Sequence, residues 1–143
     1  MDAFFQTEPS LAFLILRIGL AVVFFAHGAQ QLAGWFGGHG LKATVRNWNE
    51  RYQIPIPIGV IGVFTEFFGS FALVVGFMTR LVALGLVIFM WVAMRKAHWA
   101  NGFFMARGGG GSGIEFCLSL LLMSLTLLVG GAGVLSIDRW LAG

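Results

Sequence analysis

Charge is scarce in this chain. Only 10% of its 143 residues are Asp, Glu, Lys or Arg, while 58% are hydrophobic; an ordinary soluble domain carries about 25% charged residues. A globule of this length has too little interior to hide so much apolar surface from water. A water-soluble fold is therefore excluded, and lipid becomes the solvent. The net charge of +3 comes from scattered residues that form no dense basic patch, which excludes nucleic acid as a partner. Cysteine is represented by Cys117 alone. No internal disulfide or CxxC redox pair can form, and the residue reads as a small packing side chain. No His, Cys, Asp and Glu recur at metal-ligand spacing. The run ARGGGGSG is no phosphate-binding loop, because no Gly-Lys-Ser/Thr follows and no strand precedes it; it reads as a flexible linker. The start, MDAFFQTEPS, lacks the basic region of a cleavable leader, and the apolar run after it is too long for one, so the first span is read as retained.

What is present is a succession of apolar runs. A membrane-spanning helix needs roughly 20 mostly apolar residues, and the pattern predicts four, at about 11–33, 58–76, 80–98 and 114–129. Ser10 suits the N-cap of the first and Pro57 the first turn of the second. Between the second and third lie only Gly76-Phe77-Met78-Thr79, with glycine suited to a helix exit and threonine to the next N-cap. The expected fold is all-α: an antiparallel four-helix transmembrane bundle forming one domain over 1–143. An even number of crossings puts both termini on one side and loops 34–57 and 99–113 on the other. Lys42, Arg46, Arg51, Arg95, Lys96 and Arg107 fall on the loop side, and that excess predicts that it faces the cytoplasm.

The first long loop has a pattern of its own. In LKATVRNWNERY, Leu41, Val45, Trp48 and Tyr52 recur at spacings of four, three and four, which is one face of a helix. A short amphipathic helix in the membrane interface fits this pattern. It serves either as a simple anchor or as a lid over a site at that end.

Ionisable residues inside spans cost about 3 kcal/mol or more at mid-bilayer and need partners. Glu66 is the sharpest case. Its helical neighbours Gly59, Gly62, Gly69 and Ser70 are small, and a face of small residues lets another helix come close, so Glu66 is expected to point inward. At 1.5 Å rise per residue, Glu66 lies roughly 12 Å and His27 roughly 9 Å from the loop end. Arg17 is offset from Glu66 by roughly 6 Å. Glu66 is thus expected to pair with His27, with Arg17 or with both. A carboxyl beside an imidazole is what a proton-accepting site requires. His27, Gln30, Gln31, His98, Asn101 and Glu115 are expected to gather at the same end, beneath the interfacial helix. One polar end and one aliphatic end suit a small amphiphile with an oxygenated head. Plainer roles are open for each of these residues. Glu115 with Ser112 reads as a capping box, His98 as an interface marker beside Trp99, and the glutamines as caps of span one. Haem would need His27 and His98 facing each other as axial ligands, and their different depths argue against it.

The segments LRIGLAVVFFAHGAQQLAGWFGG, TEFFGSFALVVGFMTR, HWANGFF and LSIDRWL together resemble the DoxX family of small four-helix membrane proteins. The likeness runs from about Leu14 to Leu141 and rests on the order and spacing of the motifs. It implies a bacterial or archaeal cytoplasmic-membrane protein tied to redox processes, since related DoxD-type chains form part of a thiosulfate:quinone oxidoreductase. Carried over by position, the family-like residues are Arg17, His27, Gly28, Gln30, Glu66, Arg80 and Asn101. Where a lysine often follows the family's glutamine, this chain has Gln31.

The expectation is therefore a quinone-interacting subunit of a membrane oxidoreductase. His27 and Glu66 would be the catalytic pair, with Arg17, Gln30, His98, Asn101 and Glu115 binding the quinone. The only cofactor expected is quinone, with no metal. The expected surroundings are the lipid bilayer, other membrane or redox subunits, and a second copy of the chain. The alternatives are a non-catalytic assembly subunit of a larger membrane complex, or a carrier of a small amphiphile.

Overall fold

The computed structural model describes residues 5–105 and 111–143. Arg107 and most of the predicted glycine linker lie outside the described residues. Helix α1 is Leu11–Ala33. A 3₁₀ turn, Trp35–Gly37, leads to α2, Gly40–Tyr52. Helix α3 is Ile56–Val75 and α4 is Thr79–Ala93. The latter continues through a π-helical turn, Met94–His98, and a 3₁₀ turn, Trp99–Asn101. Helix α5 is Glu115–Gly130 and α6 is Ile137–Ala142. Among the described residues every regular element is helical.

The expected N-cap of α1 is present. Ser10 Oγ accepts from the Ala12 N–H at 3.1 Å, and Gly34 ends the helix with φ of 74°. Three helical runs are long and apolar enough to cross a membrane: Leu11–Ala33, Ile56–Val75 and Thr79–Asn101. Helix α5 is apolar but has 16 residues, fewer than the roughly 20 that a perpendicular crossing takes.

The distribution of polarity is inverted relative to a protein folded in water. Arg17, Glu66, Ser70, Thr79, Ser124 and Asp138 are buried, whereas Ile15, Val22 and Val129 are more than 60% exposed. Between helices surrounded by lipid, close packing replaces the hydrophobic effect as the driving force, and small residues make that packing possible. Gly28 shows this directly. A Cβ there would lie 2.7 Å from the Phe67 backbone, so only glycine lets α1 and α3 approach this closely. Val45 and Trp48 seat α2 on α3 against Gly59. Leu20, Phe24, Leu73, Leu86 and Leu127 fill the centre.

One capping expectation is corrected. Gly76 closes α3 with φ of 65°, as its position predicts, but Thr79 does not cap α4. Met78 occupies the cap position at φ 49°, with no side-chain bond of its own. The cap is supplied by Asp138 of α6, whose carboxylate accepts from the Met78 N–H at 2.7 Å and the Thr79 N–H at 2.8 Å. A carboxylate satisfies two free N–H groups and complements the positive end of the helix dipole, which a single hydroxyl cannot match.

Candidate functional site

The close approach at Gly28 decides what meets Glu66. On α1, Phe24, His27 and Gln31 share the Gly28 face at helical spacing. On α3, Glu66 precedes Phe67, the residue on which Gly28 rests. The result is a cavity of about 540 Å³. Phe24, Phe89, Met90, Phe116 and Leu120 give it apolar walls, and His27, Gln31, Glu66 and His98 give it polar groups. Trp48 and Tyr52 of α2 also line it, and the Trp48 ring stands 5.8 Å from that of Phe89. The face predicted for α2 therefore borders the site, as a lid would.

Glu66 is 2% exposed. The side chain of Gln31 is its hydrogen-bonding neighbour, yet Glu66 Oε2 and Gln31 Oε1 are both buried with no hydrogen-bond partner in the protein. Several hydroxyls in the spans look after themselves, although Thr79 Oγ1 and Ser124 Oγ are, like Glu66 Oε2, buried without a partner. Thr65, Ser70, Ser119 and Thr126 each donate to a carbonyl three or four residues back, the usual way a hydroxyl is satisfied within a helix. A carboxyl has no such local option, and Glu66 borders the cavity with one oxygen unpartnered.

The two histidines are anchored in similar ways. His27 Nδ1 lies 3.0 Å from the Val23 carbonyl, and its ring is 6.1 Å from that of Phe116. His98 Nδ1 lies 2.8 Å from the Ser112 carbonyl. Its place on the wall follows from the π-helical turn, a wider turn often found at functional sites, which also brings Lys96 and Ala97 to the cavity.

Glu66, His27 and His98 thus share one cavity, but four other candidates stand elsewhere. Gln30 donates to the Phe36 carbonyl at 3.1 Å and fastens the turn after α1. Asn101 donates to the Ser112 carbonyl at 3.0 Å. Glu115 accepts from the Met105 N–H at 2.6 Å. It opens α5 behind Ile114, which has no side-chain cap, so the expected Ser112–Glu115 capping box does not form. Asn101 and Glu115 instead tie the loop after α4 to the start of α5. The backbone pairs Gly113 N–H to Phe104 O and Ile114 N–H to Gly102 O reinforce that clasp.

Arg17 does not join Glu66. It is fully buried, packs on Gly76, donates to the Leu135 carbonyl at 2.9 Å and feels the charge of Asp138. Offsets along helix axes gave the right depth but left direction open, and Asp138 drew Arg17 toward the far end. Asp138 itself lies in LSIDRWL, where no local pattern links it to Arg17. Gln31 was legible, one helical turn beyond His27 on the same face. Cys117, in contact with the same cavity and close enough to Glu66 to feel its charge, carried no pattern that would have placed it there.

Comparison with known proteins adds a family. The family model described as DoxX matches residues 12–99, which include α1 to α4. An uncharacterised protein of Haemophilus influenzae is 30% identical over 138 residues, covering 90% of this chain and 82% of that protein. No solved structure matches.

Proposed function

This chain belongs to the DoxX family, and from that premise we propose that it is a quinone-interacting subunit of a membrane oxidoreductase, an antiparallel four-helix bundle that receives the quinone head beside His27 and Glu66. One observation carries the reading: a fully buried carboxyl with a free oxygen borders a cavity of about 540 Å³ walled by aromatic and aliphatic side chains. Ligand sites are typically 300–1,000 Å³, mostly apolar, with a few convergent polar groups. The residues present fit a quinone, whose ring needs flat apolar walls and whose oxygens need polar partners. Such a group supplies the electron chemistry when bound. The chain's own side chains do the rest. Glu66 and His27 hold and exchange the proton, and Gln31 sets the orientation of Glu66. His98 closes the wall opposite α1. Asn101, Glu115 and Gln30 act by holding the loops that shape the cavity, and Arg17 acts on the fold at the far end.

The experiment is solvent extraction of the purified protein for bound quinone, run beside Glu66→Gln. The reading expects quinone in the wild type and its loss in a variant that melts at the same temperature. A second reading, a non-catalytic assembly subunit, draws on the open apolar trough between α3 and α4, where Gly69, Ala72 and Gly85 would let a neighbouring helix approach. Under that reading Glu66→Gln alters assembly and leaves extracted quinone unchanged. Uptake of an amphiphile into vesicles without redox chemistry would instead make the chain a carrier.

A further inference from the structure

We infer that the deep end of the cavity selects the reduced, hydroxyl-bearing form of its ligand, a quinol in preference to the corresponding quinone. The inference rests on the reading of the cavity as a quinone site and specifies which redox form that site holds.

It follows from counting donors and acceptors. A carbonyl can only accept, so the partner of each carbonyl-bound imidazole nitrogen must be an N–H. The Val23 carbonyl therefore fixes His27 with its proton on Nδ1, and the Ser112 carbonyl fixes His98 in the same way. A neutral imidazole protonated on Nδ1 presents Nε2 as a bare acceptor. The Gln31 amide faces a carboxyl, so its NH₂ turns toward Glu66 and its Oε1 is left over as an acceptor, buried and unpartnered. Glu66 Oε2 is the second buried oxygen without a partner. Among the cavity's lining groups, lone pairs are thus offered by Gln31 Oε1, His27 Nε2, His98 Nε2 and, when ionised, Glu66 Oε2. The donors of the lining, on Asn47, Trp48, Tyr52, Lys96 and Ser112, come from α2, the π-helical turn and the segment before α5, and Cys117 of α5 adds only a weak S–H.

A quinone oxygen is an acceptor and can take a hydrogen bond at the deep end only from Glu66 when that acid carries its proton, leaving Gln31 Oε1 and the imidazole Nε2 atoms unsatisfied. A quinol offers an O–H. A site built to receive a hydroxyl discriminates strongly against an analogue without it, because its buried polar groups are left unpaired.

The test measures calorimetric affinity of the purified full-length protein in detergent for a short-chain benzoquinol, kept reduced without oxygen, and for its oxidised quinone. The expected result is a preference of at least about tenfold for the quinol, since only that form fills the buried acceptors. Gln31→Met, similar in length but unable to accept strongly, should lower that preference at unchanged melting temperature. Gln31→Lys, which places a donor where an acceptor stood, should reverse it. Equal affinity, or tighter binding of the quinone, overturns the inference while leaving the cavity a quinone site. A preference that survives both substitutions also overturns it, because Gln31 would then not be reading the hydroxyl. If neither form binds, the quinone reading and this inference fall together.

Discussion

The two ends of this molecule each bury an acid, and the acids have opposite fates. At one end Asp138, 3% exposed, is consumed by structure. Both its oxygens accept from backbone N–H groups at 2.7 and 2.8 Å, its own N–H donates to the Gly76 carbonyl at 2.9 Å, and it lies near enough to act on the charge of Arg17. Neither Asp138 nor Arg17 borders the cavity or the two surface hollows. At the other end Glu66 is as deeply buried but has one free oxygen, no arginine, and empty volume beside it. Burial of charge alone does not mark a site. The distinction is whether protein groups use up the hydrogen-bonding capacity of the acid and whether there is room for something else to do so.

That contrast is sharpest under substitution, and the largest effect belongs to the filled end. Asp138→Ala should cost about 2–3 kcal/mol, because it leaves two helix-end N–H groups without a cap and removes the charge that acts on buried Arg17. Denaturation in detergent would measure it, and a loss below about 1 kcal/mol would show that the end is not held by this pair. Gly28→Val comes next. Forcing a branched side chain against the Phe67 backbone should cost about 1–3 kcal/mol and remove ligand binding as well, since it separates the helices that carry His27 and Glu66. Glu66→Gln should change stability by less than about 1 kcal/mol, because the amide keeps the shape and removes an ionisable group with one unfilled valence. Its effect should fall on binding instead. Were it to unfold the protein as Asp138→Ala does, the comparison between the ends would fail. Asn101→Ala should cost about 1 kcal/mol and loosen the loop clasp, seen as faster reaction of Cys117, which borders the cavity, with a small thiol reagent. Arg46→Ala removes an ion pair with Glu50 at 2.7 Å on the outer face of α2 and should leave melting unchanged, since exposed pairs contribute little.

Most of the helical framework was legible in the sequence because its signals are local. Apolar run length located the three long helices, Ser10 marked the start of α1, and the spacing of Val45, Trp48 and Tyr52 showed which face of α2 turns inward. The site was partly legible. Small residues around Glu66 announced close packing, and His27 lines the same cavity, but its ring nitrogen bonds the Val23 carbonyl and not the acid. What the sequence withheld depends on direction and on distant pairing. Nothing in LSIDRWL says that Asp138 will cap a helix 59 positions earlier, and without that partner Arg17 looks like the natural mate of Glu66. The spacing of Ser112 and Glu115 fits a capping box equally well whether or not the loop after α4 offers Glu115 a better donor, as Met105 does. The π-helical turn that brings Lys96, Ala97 and His98 to the wall has no sequence signature of its own.

Photolabelling with an azido-quinone, followed by mapping of the modified residues, tests the difference between the ends most directly. The account predicts adducts concentrated on the cavity walls, at Met90, Phe116 and Cys117, with labelling suppressed by excess unmodified quinone and by Glu66→Gln. Adducts clustered around Arg80 and Arg139, or spread without competition over the outward-facing Phe64 and Phe68, would contradict it.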